Sequence, residues 1–466
     1  MLKKKVFFLI FLYVFSSMLF CQVSLYDLCY SVLENNSDIK AAEKNYTNAV
    51  LSKKGADGYF SPSVSVSSSA TLPNEYEFDK SPDSFISSIN YTQPLLSGTS
   101  VSIFGNYSYS VTENERERFI FQNPQITFKL TQSLFPFWIQ GHIKDPYLLT
   151  LKEQKEYFYN QLLYAKQKVI QEFIQNYIYA QVEYKKNLML KNSINLTQKQ
   201  IDELNVIKKS GGINSSRISE LENTKWTYQQ DLLSSELSIK SYLQKIKYLT
   251  NKDFSESFFF EEKTYNTDYK DFISFITEIS DCDFDSYEKS LLIKIEIEKT
   301  SAISIQQDSS PSIEFSVQPA WNLEQKKINE WSEAWQSNGS PKSWTVGVTI
   351  NLSPLFNSFI SKRENKQKLE LESALNTYNS YTQQKSFVKS QYTNYILEYE
   401  KHFSEISKLI DLWEKQLEDM KFELEQGLIS KLDYENKAVQ LSNMKLSSEC
   451  IQLYIFLYQV LDALCF

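Results

Sequence analysis

The segment FELEQGLISKLDYENKAVQL, residues 422–441, places one glycine between two strongly helical runs. Glycine ends helices readily because it adopts the left-handed backbone conformation that other residues resist. The same arrangement stands earlier, in IKKSGGINSSRISELENTKW at 207–226. Gly211, Ile213 and Asn214 align without a gap on Gly427, Ile429 and Ser430. Two such interruptions predict two long helical hairpins, each reversing at glycine.

Working outward, the first hairpin covers about 148–249 and the second about 357–466. Leu232, Ile239 and Ile246, and Leu432, Val439, Leu446, Leu453 and Val460, recur at sevenfold spacing, the signature of coiled-coil packing. Each hairpin is preceded by period-2 segments that read as strands. SPSVSVSSSA, SFISSINYTQ, TSVSIFGNYSYSV and PQITFKLTQSLF lie within about 61–135; PSIEFSVQPAW and SWTVGVTINLSPLF lie within about 311–356. Helices at about 25–59 and 283–307 precede the strand sets. Pro62-Ser63-Val64 is echoed by Pro311-Ser312-Ile313, and Leu134-Phe135 by Leu355-Phe356. An internal duplication follows, with a first repeat at 22–265 and a second at 266–466. The long helix of each half would span roughly 93–105 Å at ~1.5 Å per residue, and the shorter helices are expected to stack end to end on its shorter partner.

Composition narrows the function. A formal net charge of -8 argues against a nucleic-acid surface, which needs clustered Lys and Arg in excess. Only two His are present, His142 and His402, and no GxSxG, Walker glycine loop or HExxH occurs. Neither a catalytic site, a metal site nor a cofactor is expected. Glu261-Glu262 sit in a polar connector, and Cys29, Cys282, Cys450 and Cys465 form no CxxC pair, so buried free thiols are expected. Residues 1–21 have the three-part layout of a secretory signal, Lys3–Lys5, an apolar run and small residues. Cleavage after Cys21 is expected; the rival reading lipidates Cys21, against which stands the bulky Phe20.

Strand edges expose unpaired backbone groups, and a bilayer forbids them, so membrane strands survive only in a closed barrel. Two or four strands per half do not close a useful barrel within one chain, whereas strands shared among several copies do. The competing reading is a soluble β-subdomain capping a coiled coil. Tyr91, Phe104, Tyr107, Tyr109, Trp321 and Trp344, near strand ends, suit membrane interfaces and equally suit ordinary sheets.

The order helix, strands, long helix, glycine turn, helix, all repeated, resembles the TolC family of outer-membrane efflux and secretion channels over essentially all of 22–466. ENNSDIKAAEKNYTNAVLSKKGADGYFSPSVSVS, INYTQPLLSG and the turns GGINSSRIS and GLISKLDYE carry the resemblance. It implies a mainly α fold with membrane β: an α-barrel of long antiparallel helices in the periplasm and strands contributed to a trimeric barrel in outer-membrane lipid. The implied function is a passive exit duct for small compounds or proteins, partnered by a periplasmic adaptor and an inner-membrane transporter. The alternative is a non-enzymatic periplasmic coiled-coil adaptor or spacer. The resemblance implies adaptor docking at Gly211, Gly212, Ile213, Asn214, Gly427, Leu428, Ile429 and Ser430. It also points to a periplasmic aperture near Asp433, with Arg217 and Asn436 at related positions where other members carry acidic residues.

Overall fold

The computed structural model describes residues 25–57, 61–71, 84–95, 99–114, 117–133, 146–209, 215–252, 269–280, 285–308, 312–320, 343–352 and 358–464. The signal segment with Cys21, and also His142, Glu261-Glu262, Cys282, Trp321 and Cys465, lie outside them. In chain order the elements are α1 (Leu25–Asn35), α2 (Ser37–Asp57), β1 (Ser63–Thr71), β2 (Ser84–Pro94), β3 (Thr99–Asn114), β4 (Glu117–Ser133), α3 (Pro146–Lys209) and α4 (Ser215–Thr250). The second half follows with α5 (Tyr269–Ser280), α6 (Ser286–Asp308), β5 (Ser312–Ala320), β6 (Ser343–Asn351), α7 (Ser358–Glu425) and α8 (Lys431–Leu464).

Lengths recur between the halves. Helices of 11 and 21 residues precede the first strands, and helices of 12 and 23 the second. Hairpins of 64 and 36 residues are matched by 68 and 34. Two details differ from the sequence reading. The single helix expected at 25–59 is broken at Asn36, whose Oδ1 accepts the amides of Asp38 (2.9 Å) and Ile39 (3.4 Å) and caps α2. In addition, α5 is a helix that the periodicity of FISFI left unassigned, since so short an apolar run fits a strand equally well. Its identity is settled by packing: Phe272 and Ile276 are buried, and the Phe272 ring meets Tyr26 and Phe456, both at 5.6 Å.

The chain forms two compact units that each draw on both halves: Asn45–Phe158 with Ser290–Tyr378, and Tyr159–Lys289 with Asn379–Phe466 and the residues through Lys44. The first contains one antiparallel sheet in the order β1-β2-β3-β4-β5-β6, in which β4 of the first half pairs with β5 of the second. Its helical parts are tied by Thr300 Oγ1 donating to Glu153 (3.1 Å) and Gln367 Nε2 donating to the Glu298 carbonyl (3.1 Å).

The second unit is helical, and in it α3 packs antiparallel to α4 and α8, and α7 to α8. Lys245 pairs with Glu172 (2.8 Å) between α4 and α3, and Lys445 with Glu414 (2.7 Å) between α8 and α7. Between α3 and α8 the contacts are Lys199 with Glu435 (2.7 Å), Asn192 with Asn443 (3.3 Å) and Lys185 with Glu449. Phe173, Ile170, Ile174 and Ile178 of α3 are fully buried, as are Ile246, Leu457 and Leu461. The heptad residues Ile239, Ile246, Leu453 and Val460 are buried, as coiled-coil packing requires. At the end of α4, the Leu249 carbonyl accepts from Asn36 Nδ2 (3.4 Å), so the junction of α1 and α2 meets the end of the shorter hairpin helix.

Tyrosines tie the two hairpins together. Tyr399 of α7 stacks on Tyr454 (5.2 Å) and Tyr458 (5.8 Å) of α8, Tyr395 meets Tyr458 (5.0 Å), and Tyr179 of α3 lies against Tyr454 (6.5 Å) and Tyr242 of α4 (5.7 Å). Burial disfavours the ionised forms of Tyr179, Tyr399, Tyr454 and Tyr458 and pushes the Tyr458 phenol up to about 12. Cys29 and Cys450 are free and buried; burial raises both thiols, Cys450 to about 11.

Candidate functional site: an amphipathic sheet and a glycine-capped helical turn

The sheet register sorts side chains by chemistry. Side chains alternate between faces along a strand, and paired residues share a face. On one face lie Val64 and Val66 of β1, Ile89 and Tyr91 of β2, Val101 and Ile103 of β3 and Ile126, Phe128 and Leu130 of β4. Ile313, Phe315 and Val317 of β5 and Trp344, Val346, Val348 and Ile350 of β6 continue that face. On the other face lie Ser63, Ser65, Ser67, Asn90, Thr92, Ser102, Asn106, Thr127, Lys129, Glu314, Ser316, Thr345 and Thr349. Hydroxyls pair across that face, Ser67 with Ser88 (2.6 Å) and Thr92 with Ser102 (3.1 Å). Lys129 pairs with Glu314 at 2.7 Å, where the two halves of the chain meet.

The apolar face is uncovered. Val64 is 63% exposed, Val66 66%, Trp344 60% and Val348 62%. Phe104 and Ile86, which lie on the polar face, are the departures among the large exposed residues. Soluble proteins rarely expose so continuous an apolar surface, which marks contact with a membrane or a partner. No helix among the described residues is long and apolar enough to cross a membrane.

The second feature is the turn that joins α7 to α8. Gly427 has φ 73°, in the left-handed region. Its amide donates to the Leu424 carbonyl (3.0 Å) and that of Leu428 to the Glu423 carbonyl (2.9 Å), which closes α7 in a Schellman motif. Ser430 then opens α8: its Oγ accepts the Asp433 amide (3.0 Å), a serine N-cap, and donates to the Asp433 carboxylate (2.7 Å). Four residues, 426–429, therefore separate the end of α7 at Glu425 from the cap of α8 at Ser430. Leu428 is 70% exposed at the tip and Phe422 61%, while Ile429 is half-buried.

Asp433 thus has a local role as the capping partner of Ser430, close to the positive end of the α8 dipole. Asn436 accepts from Gln200 Nε2 (2.7 Å) inside the packing of α3 on α8. Arg217 pairs with Glu220 of its own helix at 3.0 Å. The described contacts link neither Asn436 nor Arg217 to Asp433. Gly211, Gly212, Ile213 and Asn214 lie outside the described residues, between Lys209 and Ser215. His402 is exposed, 3.9 Å from Glu405, and no group of His, Cys, Asp and Glu that could hold a metal occurs among the described residues. The ion pair Lys129–Glu314 and the contact of Tyr179 with Tyr454 escape the sequence reading, because each joins residues from both halves. A signal for the stack is visible in hindsight, since Tyr392, Tyr395 and Tyr399 share one helical face, as do Tyr454 and Tyr458.

No protein-family model matches the chain, and no curated protein matches it significantly. Solved structures do. The outer-membrane channel OprN matches 94% of this chain and 89% of its own at a TM-score of 0.59 and 10% identity. The outer membrane protein VceC from Vibrio cholerae matches 94% and 95% at 0.56 and 13%. The CmeC outer membrane channel of Campylobacter jejuni matches 94% and 84% at 0.54 and 14%. At such identities the likeness is one of fold, and it spans nearly all of both chains. The chain has the TolC-like fold of outer-membrane channels.

Proposed function

We propose that the protein is a passive outer-membrane exit duct. The observation that carries this is the six-stranded sheet, apolar and exposed on one face and lined with hydroxyls, amides and one ion pair on the other. In water the apolar face is unfavourable by about 25 cal/mol per Å² of uncovered surface, whereas lipid removes that cost. A sheet with lipid on one side and water on the other is the wall of a membrane barrel. The strands, of 9 to 17 residues, meet the ~9–11 residues that a tilted membrane strand needs.

In this reading the protein is a homotrimer whose strands share one barrel and whose helical hairpins form a periplasmic tunnel. A periplasmic adaptor docks at the hairpin tips, Gly211, Gly212, Ile213 and Asn214 with Gly427, Leu428, Ile429 and Ser430, and an inner-membrane transporter supplies energy. The exposed Leu428 and Phe422 give the second tip an apolar surface suited to such a contact. Asp433, with Arg217 and Asn436 near the same helix ends, belongs to the periplasmic aperture, and threefold repetition of Asp433 makes a carboxylate ring that favours cations. Cargo is small compounds or exported proteins, with no chemical step in the duct.

The test is direct. Detergent-extracted protein reconstituted in planar bilayers is expected to give trimers and stepwise ion conductance. A monodisperse water-soluble monomer without conductance overturns the proposal in favour of a periplasmic coiled-coil spacer. For the aperture, Asp433→Asn is expected to lower cation selectivity, and unchanged selectivity removes Asp433 from it.

A further inference from the structure

A row of tyrosines crosses all four long helices: Tyr242 of α4, Tyr179 of α3, Tyr454 and Tyr458 of α8, and Tyr399 and Tyr395 of α7. The row occupies one face of this helix layer. Phe456, set between Tyr454 and Tyr458 in the chain, points the other way and meets Phe272 of α5 at 5.6 Å. On α3 the fully buried Ile170 lies about two and a half turns from Tyr179, and so on the opposite side. The short helix α5, which packs on α8 and on α1, therefore lies behind the row. Tyr395 is 39% exposed and the other rings of the row are half-buried.

The chemistry of this face suits a cation. Among the described residues no Lys or Arg lies over these rings, although Lys437 lies over Trp413 at 3.5 Å. Their electron-rich faces are thus unmatched. Glu183, one turn from Tyr179 on the same side of α3, has a buried carboxylate oxygen that accepts no hydrogen bond, an arrangement that is costly without a partner. Its other oxygen has Lys186 at 3.7 Å. Burial raises the Tyr454 phenol and the charge of Glu183 adds to that rise, which sets the carboxylate beside the rings. Lys185 and Lys245 are held by Glu449 and Glu172.

We infer that the tyrosine row and Glu183 form a binding surface for organic cations with an apolar or aromatic body, and that this surface faces the passage. Its placement rests on the trimeric duct reading above. Three copies of a four-helix layer close a ring roughly 38 Å across between axes at ~10 Å per helix, and a second ~10 Å layer inside it would fill most of the bore. The α5 side therefore stands outside and the tyrosines inside. Ring faces attract the charged centre, the ring edges and half-buried surroundings take the apolar body, and Glu183 supplies the counter-charge. Contacts spread over several rings let such a solute bind and leave again.

Equilibrium dialysis of the detergent-extracted protein tests the site, with tetraphenylphosphonium as the cation, triphenylphosphine oxide as an uncharged relative, and protein-free micelles subtracted. The expected result is saturable binding of the cation and at least about tenfold weaker binding of the oxide. Glu183→Gln and Tyr454→Leu are each expected to weaken the cation about 3–10-fold, whereas Tyr454→Phe, which keeps the ring face, stays within about twofold. Absence of saturable binding, equal binding of the two probes, or affinity unchanged in Glu183→Gln and Tyr454→Leu with wild-type circular dichroism overturns the site. Conductance in planar bilayers is read separately. Tetraphenylphosphonium is expected to lower the conductance of the unaltered protein and to do so less in Glu183→Gln. A conducting protein that binds the cation without any block overturns the placement in the passage. A protein that binds the cation with the expected variant pattern but does not conduct leaves the site standing and removes the duct.

Discussion

The sheet and the helical unit bury their apolar residues in opposite senses. In the helical unit Phe173, Ile246 and Leu457 lie inside, and Lys199, Glu435, Lys245 and Glu172 lie outside. In the sheet Val64, Val66, Val346 and Val348 lie outside, and the polar residues share the opposite face. On the proposed duct reading the same solvation rule gives both arrangements, because the solvents differ: water around the helices and lipid around one face of the strands.

The contrast is open to breakage, starting with the strongest effects. Phe173→Ala empties a fully buried site and is expected to destabilise the helical unit by about 3–5 kcal/mol, measured by chemical unfolding followed by circular dichroism. A loss below ~1 kcal/mol would mean that this core is not close-packed. Val346→Lys is expected to cost about 2–4 kcal/mol of membrane folding, whereas Thr345→Lys, one residue away on the polar face, is tolerated. Equal losses in detergent-to-lipid folding titrations would show that the valine face does not meet lipid.

Glycine substitutions sharpen the picture at smaller scale. Gly427→Ala forces a β-carbon into the left-handed region and is expected to cost about 1–2 kcal/mol. Gly55→Ala, within α2 and with open space around it, is expected to stabilise by about 0.5–1 kcal/mol. Thermal unfolding of the two variants should move in opposite directions. The least effect at neutral pH belongs to the tyrosine stack. Its phenols ionise later when folded, so the folded state holds more protons above the ordinary tyrosine pKa and stability falls as pH rises. Melting is expected to be steady up to about pH 9 and to decline from the ordinary phenol pKa of ~10 towards 12. Replacing Tyr399, Tyr454 and Tyr458 by Phe should flatten that decline.

Much of the architecture is legible in the chain because it is local. Helix periodicity and the glycine turns give α3, α4, α7 and α8 to within a few residues, since a run of three- and four-residue spacings and a left-handed residue are properties of neighbouring positions. The strands are legible for the same reason, although β3 and β4 run to Asn114 and Glu117, further than the polar link TENERER suggests. Charged residues at a hairpin end are compatible with continued pairing when the turn between strands is short. At Asn36 the cap of α2 is local, but the contact that also holds its side chain is not legible, because Nδ2 donates to the carbonyl of Leu249, more than two hundred positions away.

For the candidate site the division is the same. The sequence by itself determined the duplicated order of elements, the positions of the reversals and the alternation of Val with Ser, all set by backbone preference and side-chain period. Only the tertiary structure decided that the six strands form one sheet, that their apolar sides coincide on one exposed face, and that Lys129 of the first half neutralises Glu314 of the second. Strand pairing between distant segments depends on register, and a shift of one residue would have exchanged the two faces.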